Sequence, residues 1–158
     1  MIQLLMKKTI YGFIFLLLVS QIAMASNLKP FTSDGCSSFP DGTFSQQSLW
    51  GHCCMQHDLA YWKGGSELQK QQADKELERC VAKVGEPKIA RLMLAGVQVG
   101  GSPQLRTPFR WGYGWPYGRG YKKLSNSERL EVKQQLETFK SMIDDFINRL
   151  SIQSKIVK

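Results

Sequence analysis

The residues best suited to chemistry lie in one stretch of the chain, WGHCCMQHDLAY. On a helix, residues four apart share a face, so Cys53, His57 and Tyr61 form one stripe. Cys54 and Asp58 form a second stripe about 100° around the helix axis. An imidazole exchanges protons near neutral pH, and a carboxylate suits a hard cation. His57 and Asp58 therefore face two neighbouring regions, the first suited to proton transfer and the second to binding a cation.

A partner for His57 is expected on the other side of a glycine pair. Helical patterns flank Gly64 and Gly65, which predicts an antiparallel hairpin. His57 lies eight residues before Gly65 and Asp74 lies nine after it, so the two should come opposite each other. A carboxylate there can orient the ring and stabilise its charged form. We expect His57 to be a general base for water, Asp74 its orienting partner, and Tyr61 a hydrogen-bond donor to Asp74.

The four cysteines indicate two disulfides, because an even count is typical of exported proteins. Cys53 and Cys54 are adjacent, and on a helix their side chains diverge too far to pair with each other. That leaves two crosswise arrangements with Cys36 and Cys80. A bridge between Cys53 and Cys80 would also lock the register of the hairpin.

The string CCMQHD, joined to a later Asp and Cys six residues apart, resembles the active-site helices of secreted phospholipase A2, in its compact microbial form. The resemblance covers roughly residues 34–80. It implies a mainly α fold built on a disulfide-stapled antiparallel helix hairpin with additional C-terminal helices. It also implies hydrolysis of the sn-2 ester of phospholipids at a membrane surface. The site residues that it implies are His57 and Asp74 as the catalytic pair, Asp58 as a calcium ligand, Tyr61 in support, and the disulfides Cys36–Cys54 and Cys53–Cys80.

The same resemblance implies a calcium ion beside Asp58. The family's glycine-rich calcium loop is replaced here by the segment DGCSSFPDG. Because calcium takes oxygen ligands, we expect the carbonyls of Gly35, Ser37 and Phe39 to serve, together with Asp41.

Two other readings of these residues compete with the calcium-dependent enzyme. Zinc ligation by Cys53 and Cys54 with His52 and His57 is one, although exported cysteines normally oxidise. The other is a secreted, non-catalytic module that keeps the disulfide scaffold, has lost calcium and binds membranes or other anionic surfaces. The altered loop motivates this second alternative.

Four helical patterns must position the site, and hardly any strand pattern competes with them. They cover residues 48–62, 66–84, 87–99 and 125–150. The second and the fourth begin with capping boxes, and the third begins with a proline in its first turn. Along the third helix we expect Leu92, Ala95 and Val99 to form the buried stripe.

The segment 106–123, between the third and fourth helices, is rich in aromatic and basic residues. Its glycines and proline exclude a long regular helix. Aromatic rings beside cations suit a membrane interface, which predicts a docking role for Trp111, Trp115, Arg110 and Arg119. The alternative is that the rings fill the core against the last helix.

The first 25 residues are typical of a signal peptide. Lys7 and Lys8 precede an apolar run at 9–19, and Ala23-Met24-Ala25 offers the small-x-small pattern of a cleavage site. We expect residues 1–25 to be removed and the protein to reach the periplasm or the medium.

The remaining residues, 26–158, are predicted to form one phospholipase A2-like domain with a core at 34–85 and a C-terminal extension at 106–158. Loss of two lysines with the signal peptide would lower the net charge from +8 to +6. That charge favours an anionic surface such as phospholipid headgroups, and nucleic acid is not favoured for an exported protein. The sequence does not predict the oligomeric state.

Overall fold

The computed structural model describes residues 27–156, the last four by their backbone only. Within this range the chain is mainly helical and contains no strand. The helices are α1 (Gly51–Lys63), α2 (Glu67–Lys83), α3 (Pro87–Gly100) and α4 (Asn126–Ile156). The four predicted helices are confirmed, with ends that differ by a few residues. None of the helices in the described range is long and apolar enough to cross a bilayer. The predicted signal peptide lies outside the described residues.

Both predicted capping boxes are present. The Ser66 hydroxyl accepts from the Gln69 N–H at 3.3 Å, and the Gln69 side chain accepts from the Ser66 N–H at 2.9 Å. Ser125 and Glu128 make the same reciprocal pair at the start of α4. These contacts satisfy N–H groups that a helix leaves unpaired at its first turn, so the sequence could locate both helix starts.

Two disulfides staple the helices. Cys53 on α1 pairs with Cys80 on α2, and Cys54 pairs with Cys36 in the preceding loop. The pairing expected from the resemblance is therefore confirmed. Zinc ligation is excluded at these cysteines, because the metal binds thiolates and all four sulfurs are oxidised.

Helix α2 packs against both α1 and α3, but α3 buries a different face from the one predicted. The buried residues of α3 are Ala90, Met93 and Leu94. Leu92 and Val99 are 58% and 79% exposed, and Ala95 is also exposed, so the predicted stripe is wrong. The polar residues Lys88, Arg91 and Gln98 lie on one side of α3, and the predicted stripe adjoins them. The opposite side, with Ala90, Met93 and Val97 at i, i+3 and i+7, is the one that packs inward.

The aromatic segment 106–123 caps the end of α1. The N–H groups of Gly112 and Gly114 and the indole N–H of Trp115 donate to the carbonyls of residues 61–63, at 2.7, 3.3 and 2.8 Å. The last carbonyls of a helix lack an i+4 partner, although that of Tyr61 also accepts from the N–H of Gly64 at 3.1 Å. The segment thus satisfies the C terminus of α1, one turn beyond His57.

The predicted membrane-docking role of four residues in this segment is wrong, because the structure buries three of them and pairs the fourth with an acid. Trp111 and Trp115 are 3% and 2% exposed, and Arg110 is buried and donates to two carbonyls of its own segment. Arg119 forms an ion pair with Glu128 at the start of α4. The alternative, in which the rings fill the core, describes the two tryptophans, whereas Phe109, Tyr117 and Tyr121 are exposed.

Candidate active site

His57 on α1 and Asp74 on α2 meet across the hairpin. Nε2 of His57 lies 3.0 Å from Oδ1 of Asp74, and both side chains are buried. A carboxylate only accepts hydrogen bonds, so Nε2 carries the proton in this pair. Nδ1 makes no hydrogen bond to any described residue, which leaves its lone pair available to a ligand. The predicted juxtaposition of imidazole and carboxylate is present.

Asp74 is held by three donors. His57 and the Tyr61 hydroxyl donate to Oδ1, the latter at 2.7 Å, and the Lys70 ammonium donates to Oδ2 at 2.8 Å. Burial by itself raises the pKa of Asp74, but the hydrogen bonds from His57, Lys70 and Tyr61 outweigh it and hold the pKa below its ordinary value. Asp74 is therefore ionised at neutral pH.

Lys70 is the component of this network that the sequence analysis missed. It is only 4% exposed and also donates to the carbonyl of Val97 at 3.2 Å. A lysine is rarely buried unless it is paired with an acid. Lys70 lies four residues before Asp74 on the same helix face, and that spacing was the signal that could have found it.

Tyr61 ties the pair to the rest of the structure. Its ring packs against His57, with centroids 4.1 Å apart, and edge-on against Trp111 at 5.1 Å. Burial and the neighbouring Asp74 raise the pKa of Tyr61, so it stays a donor. A Cβ at Gly101 would lie 2.3 Å from the Tyr61 hydroxyl, and only glycine leaves room for it there. The predicted contact from Tyr61 to Asp74 is confirmed.

Asp58 lies on the adjacent stripe of α1, as predicted, and accepts a hydrogen bond from the Ser33 hydroxyl at 2.6 Å. Burial raises the pKa of Asp58 to about 6; the bond from Ser33 opposes the shift, and the charges of Asp34 and Asp41 add to it. Ionisation of Asp58 is thus less favourable than that of a free carboxyl group, and a bound cation would offset this cost.

The loop beside Asp58 presents free backbone oxygens. The carbonyls of Gly35, Ser37 and Phe39 accept no hydrogen bond from the described residues. Asp41 has another role, because its Oδ1 accepts the Cys36 N–H at 2.8 Å and holds the loop. One carboxylate and several carbonyls are a donor set that fits a hard cation. Because Oδ1 of Asp41 is already used, only its second carboxylate oxygen is predicted to coordinate the ion.

An apolar cavity of about 370 Å³ opens beside His57. It is closed on one side by the loop at 35–39 and on the other by α3. Three glycines, in α3 and at its C terminus, line the cavity without side chains and so leave it open. The apolar wall residues are Leu77, Leu92, Met93, Val97 and Phe109. Such a cavity suits a long aliphatic group.

The structure gathers most of the predicted site residues here. His57, Tyr61 and the three loop residues line the cavity. Asp74, which bonds to His57, and Asp58, which bonds to Ser33, are not among the lining residues. Comparison of the chain with protein-family models, curated proteins and solved structures finds no match.

Proposed function

We propose that the protein is a secreted, calcium-dependent, phospholipase A2-like hydrolase that cleaves the sn-2 ester of phospholipids at a membrane surface. The observation that carries the proposal is the 3.0 Å bond between Nε2 of His57 and Oδ1 of Asp74, on a ring that lines an apolar cavity. The disulfide-stapled hairpin that holds this pair supports its assignment to the phospholipase A2 superfamily.

In the proposed reaction Nδ1 of His57 takes a proton from a water molecule as the water oxygen attacks the ester carbonyl carbon. Nε2–H stays bonded to ionised Asp74, which stabilises the imidazolium that forms. The imidazolium then returns the proton to the glycerol oxygen as the C–O ester bond breaks. The products are a free fatty acid and a lysophospholipid. Tyr61 and Lys70 keep the carboxylate of Asp74 in place throughout.

Calcium, when bound, would polarise the ester carbonyl and hold the phosphate. The chain would hold the ion with the carboxylate of Asp58 and the carbonyls of Gly35, Ser37 and Phe39. The disulfide from Cys36 to Cys54 ties this loop to α1, one turn before Asp58. The bridge limits how far the loop can move from α1, which would lower the ordering cost of binding.

The partner in this proposal is the phospholipid surface itself. Leu92 and Phe109 line the cavity and are 58% and 37% exposed, and Val99 lies two turns beyond Leu92 on α3 at 79% exposure. Apolar side chains at the opening of an apolar cavity would contact acyl chains as a lipid leaves the bilayer. The net positive charge would favour anionic headgroups.

The test is the release of fatty acid from phosphatidylglycerol and phosphatidylcholine vesicles, with calcium and with a chelator. We expect His57→Asn to lower the rate by at least about 10²-fold, because no other base is placed in the cavity wall. His52→Asn is the matched control, since His52 is exposed on the same helix. A rate that His57→Asn leaves unchanged would overturn the proposed base.

Calorimetric titration with calcium separates the enzyme from the non-catalytic module. Heat of binding in the wild type and none in Asp58→Asn is expected for the enzyme. A silent titration of a protein that binds anionic vesicles without hydrolysing them would support the module instead.

A further inference from the structure

Helix α4 carries an apolar seam whose residues are spaced alternately four and three apart. The seam consists of Val132, Leu136, Phe139, Ile143, Phe146 and Leu150. This spacing, with a mean of 3.5 residues, is that of the a and d positions of a coiled coil. The seam is covered along the first half of the helix and uncovered along the second.

The covered half packs on the body of the protein. Val132 is buried with Trp62 and Trp115, and Leu136 packs against the same cluster. Phe139 meets Phe31 edge-on, with ring centroids 5.4 Å apart. These contacts hold the first half of α4 as a helix on the domain.

The second half of the seam extends beyond those contacts. Ile143, Phe146 and Leu150 are 39%, 57% and 48% exposed, and no described residue covers them. Met142 and Ile147 flank them at 60% and 55% exposure and widen the apolar face. A face of this width is typical of a helix that packs against another helix.

We propose that the second half of α4 pairs with the same half of a second copy of this chain, as a short two-stranded coiled coil. Met142 and Ile147 occupy the positions that flank the a and d residues. Because the domain covers the seam side of the first half of α4, the two helices would run antiparallel, with each domain beyond the end of the other helix. This pairing does not depend on the proposed hydrolysis.

The charges on the rest of this half favour a protein partner over a lipid surface. Lys140 pairs with Asp144 and Arg149 with Asp145, each four residues apart on the same helix. Residues 140–156 therefore carry nearly balanced charge, with three bases and two acids. A helix that binds an anionic membrane carries an excess of lysine and arginine instead.

The exposed area suits a weak dimer. Five large side chains that are each about half exposed offer roughly 500 Å² per chain, or about 1,000 Å² for two, which is the lower limit for a specific interface. An isolated coiled coil of two heptads would be marginal, but the first half of α4 is already ordered on the domain, which reduces the cost of ordering the second. We expect dissociation in the micromolar range.

The experiment is sedimentation equilibrium of the purified protein from about 1 to 500 μM, with Phe146→Glu and Ile152→Glu as a matched pair. Both residues are 57% exposed on the same helix, but Ile152 lies off the seam. We expect a concentration-dependent dimer for the wild type and for Ile152→Glu, and a monomer for Phe146→Glu with unchanged helix content by circular dichroism.

Three outcomes would overturn the proposal. The first is a wild type that stays monomeric over the whole range, and the second is a dimer that Phe146→Glu leaves intact. The third is a monomer whose binding to phosphatidylglycerol vesicles is lost in Phe146→Glu but kept in Ile152→Glu, because that result would assign the seam to lipid.

Discussion

Replacement of Asp58 by asparagine should stabilise the calcium-free protein at neutral pH while removing its stabilisation by calcium. Burial raises the pKa of Asp58 from 3.8 to about 6, so between these pH values the native state keeps a proton that the unfolded chain releases. The free energy of unfolding contributed by this group therefore falls as pH rises through that window. Asparagine has no charge to bury, so the Asp58→Asn variant does not lose this free energy of unfolding.

The size of the effect follows from the shift. One pKa unit corresponds to about 1.4 kcal/mol, so a shift of about two units would be worth roughly 3 kcal/mol for a fully buried group. Asp58 keeps some contact with solvent, and screening reduces the expected gain to the order of 1–2 kcal/mol above pH 6. In a domain of this size that gain would raise the melting temperature by roughly 3–8 °C.

The assay is thermal unfolding followed by circular dichroism, with disulfides intact, at pH 4 to 8 in chelator and in calcium. Asp145→Asn is the control, because its exposed ion pair with Arg149 should contribute little. In chelator the wild type and Asp58→Asn should converge near pH 4 and separate above pH 6. Calcium should raise the melting temperature of the wild type and of Asp145→Asn, but not that of Asp58→Asn.

Two results would refute different parts of this reasoning. If Asp58→Asn melts below the wild type in chelator at pH 8, the burial of Asp58 is not the dominant electrostatic effect. If calcium stabilises Asp58→Asn as much as the wild type, Asp58 is not a ligand of the ion.

Three further changes test the pair and its cavity. Asp74→Asn should lower fatty acid release by at least about 10²-fold and leave calcium binding by calorimetry unchanged; an equal loss of both would indicate a collapsed hairpin. Lys70→Met should lower the free energy of unfolding in denaturant by about 3 kcal/mol at pH 7, since it leaves ionised Asp74 buried without its cation. Because the pKa of Asp74 is held below its ordinary value, this loss should shrink as pH falls below about 4, and a loss independent of pH would contradict the role of charge. Gly96→Leu, at the cavity wall, should slow hydrolysis by about tenfold. It should also raise the melting temperature, since glycine costs a helix about 1 kcal/mol. Ala95→Leu, which does not line the cavity, should keep the rate, and equal rates for both variants would exclude Gly96 from the substrate path.

Local signals in the sequence determined most of what positions the candidate site. Ser66 with Gln69 and Ser125 with Glu128 satisfy their own helix ends, so the start of each helix depends only on neighbouring residues. His57 and Asp74 are nearly equally far from one glycine turn, and a hairpin then brings them together whatever surrounds it.

The tertiary structure decided what lies beside each face. The spacing of Ala90, Met93 and Val97 marks the face of α3 that packs inward, but only the tertiary structure shows that Leu92, outside that face, lies at the cavity opening. Trp111 and Trp115 have rings that suit either a core or a membrane. Their indole N–H groups donate to the carbonyls of Gly65 in the hairpin turn and Lys63 at the end of α1, which places both rings in the core. Periodicity within one segment can indicate a buried face, but it does not identify the distant residues that cover it.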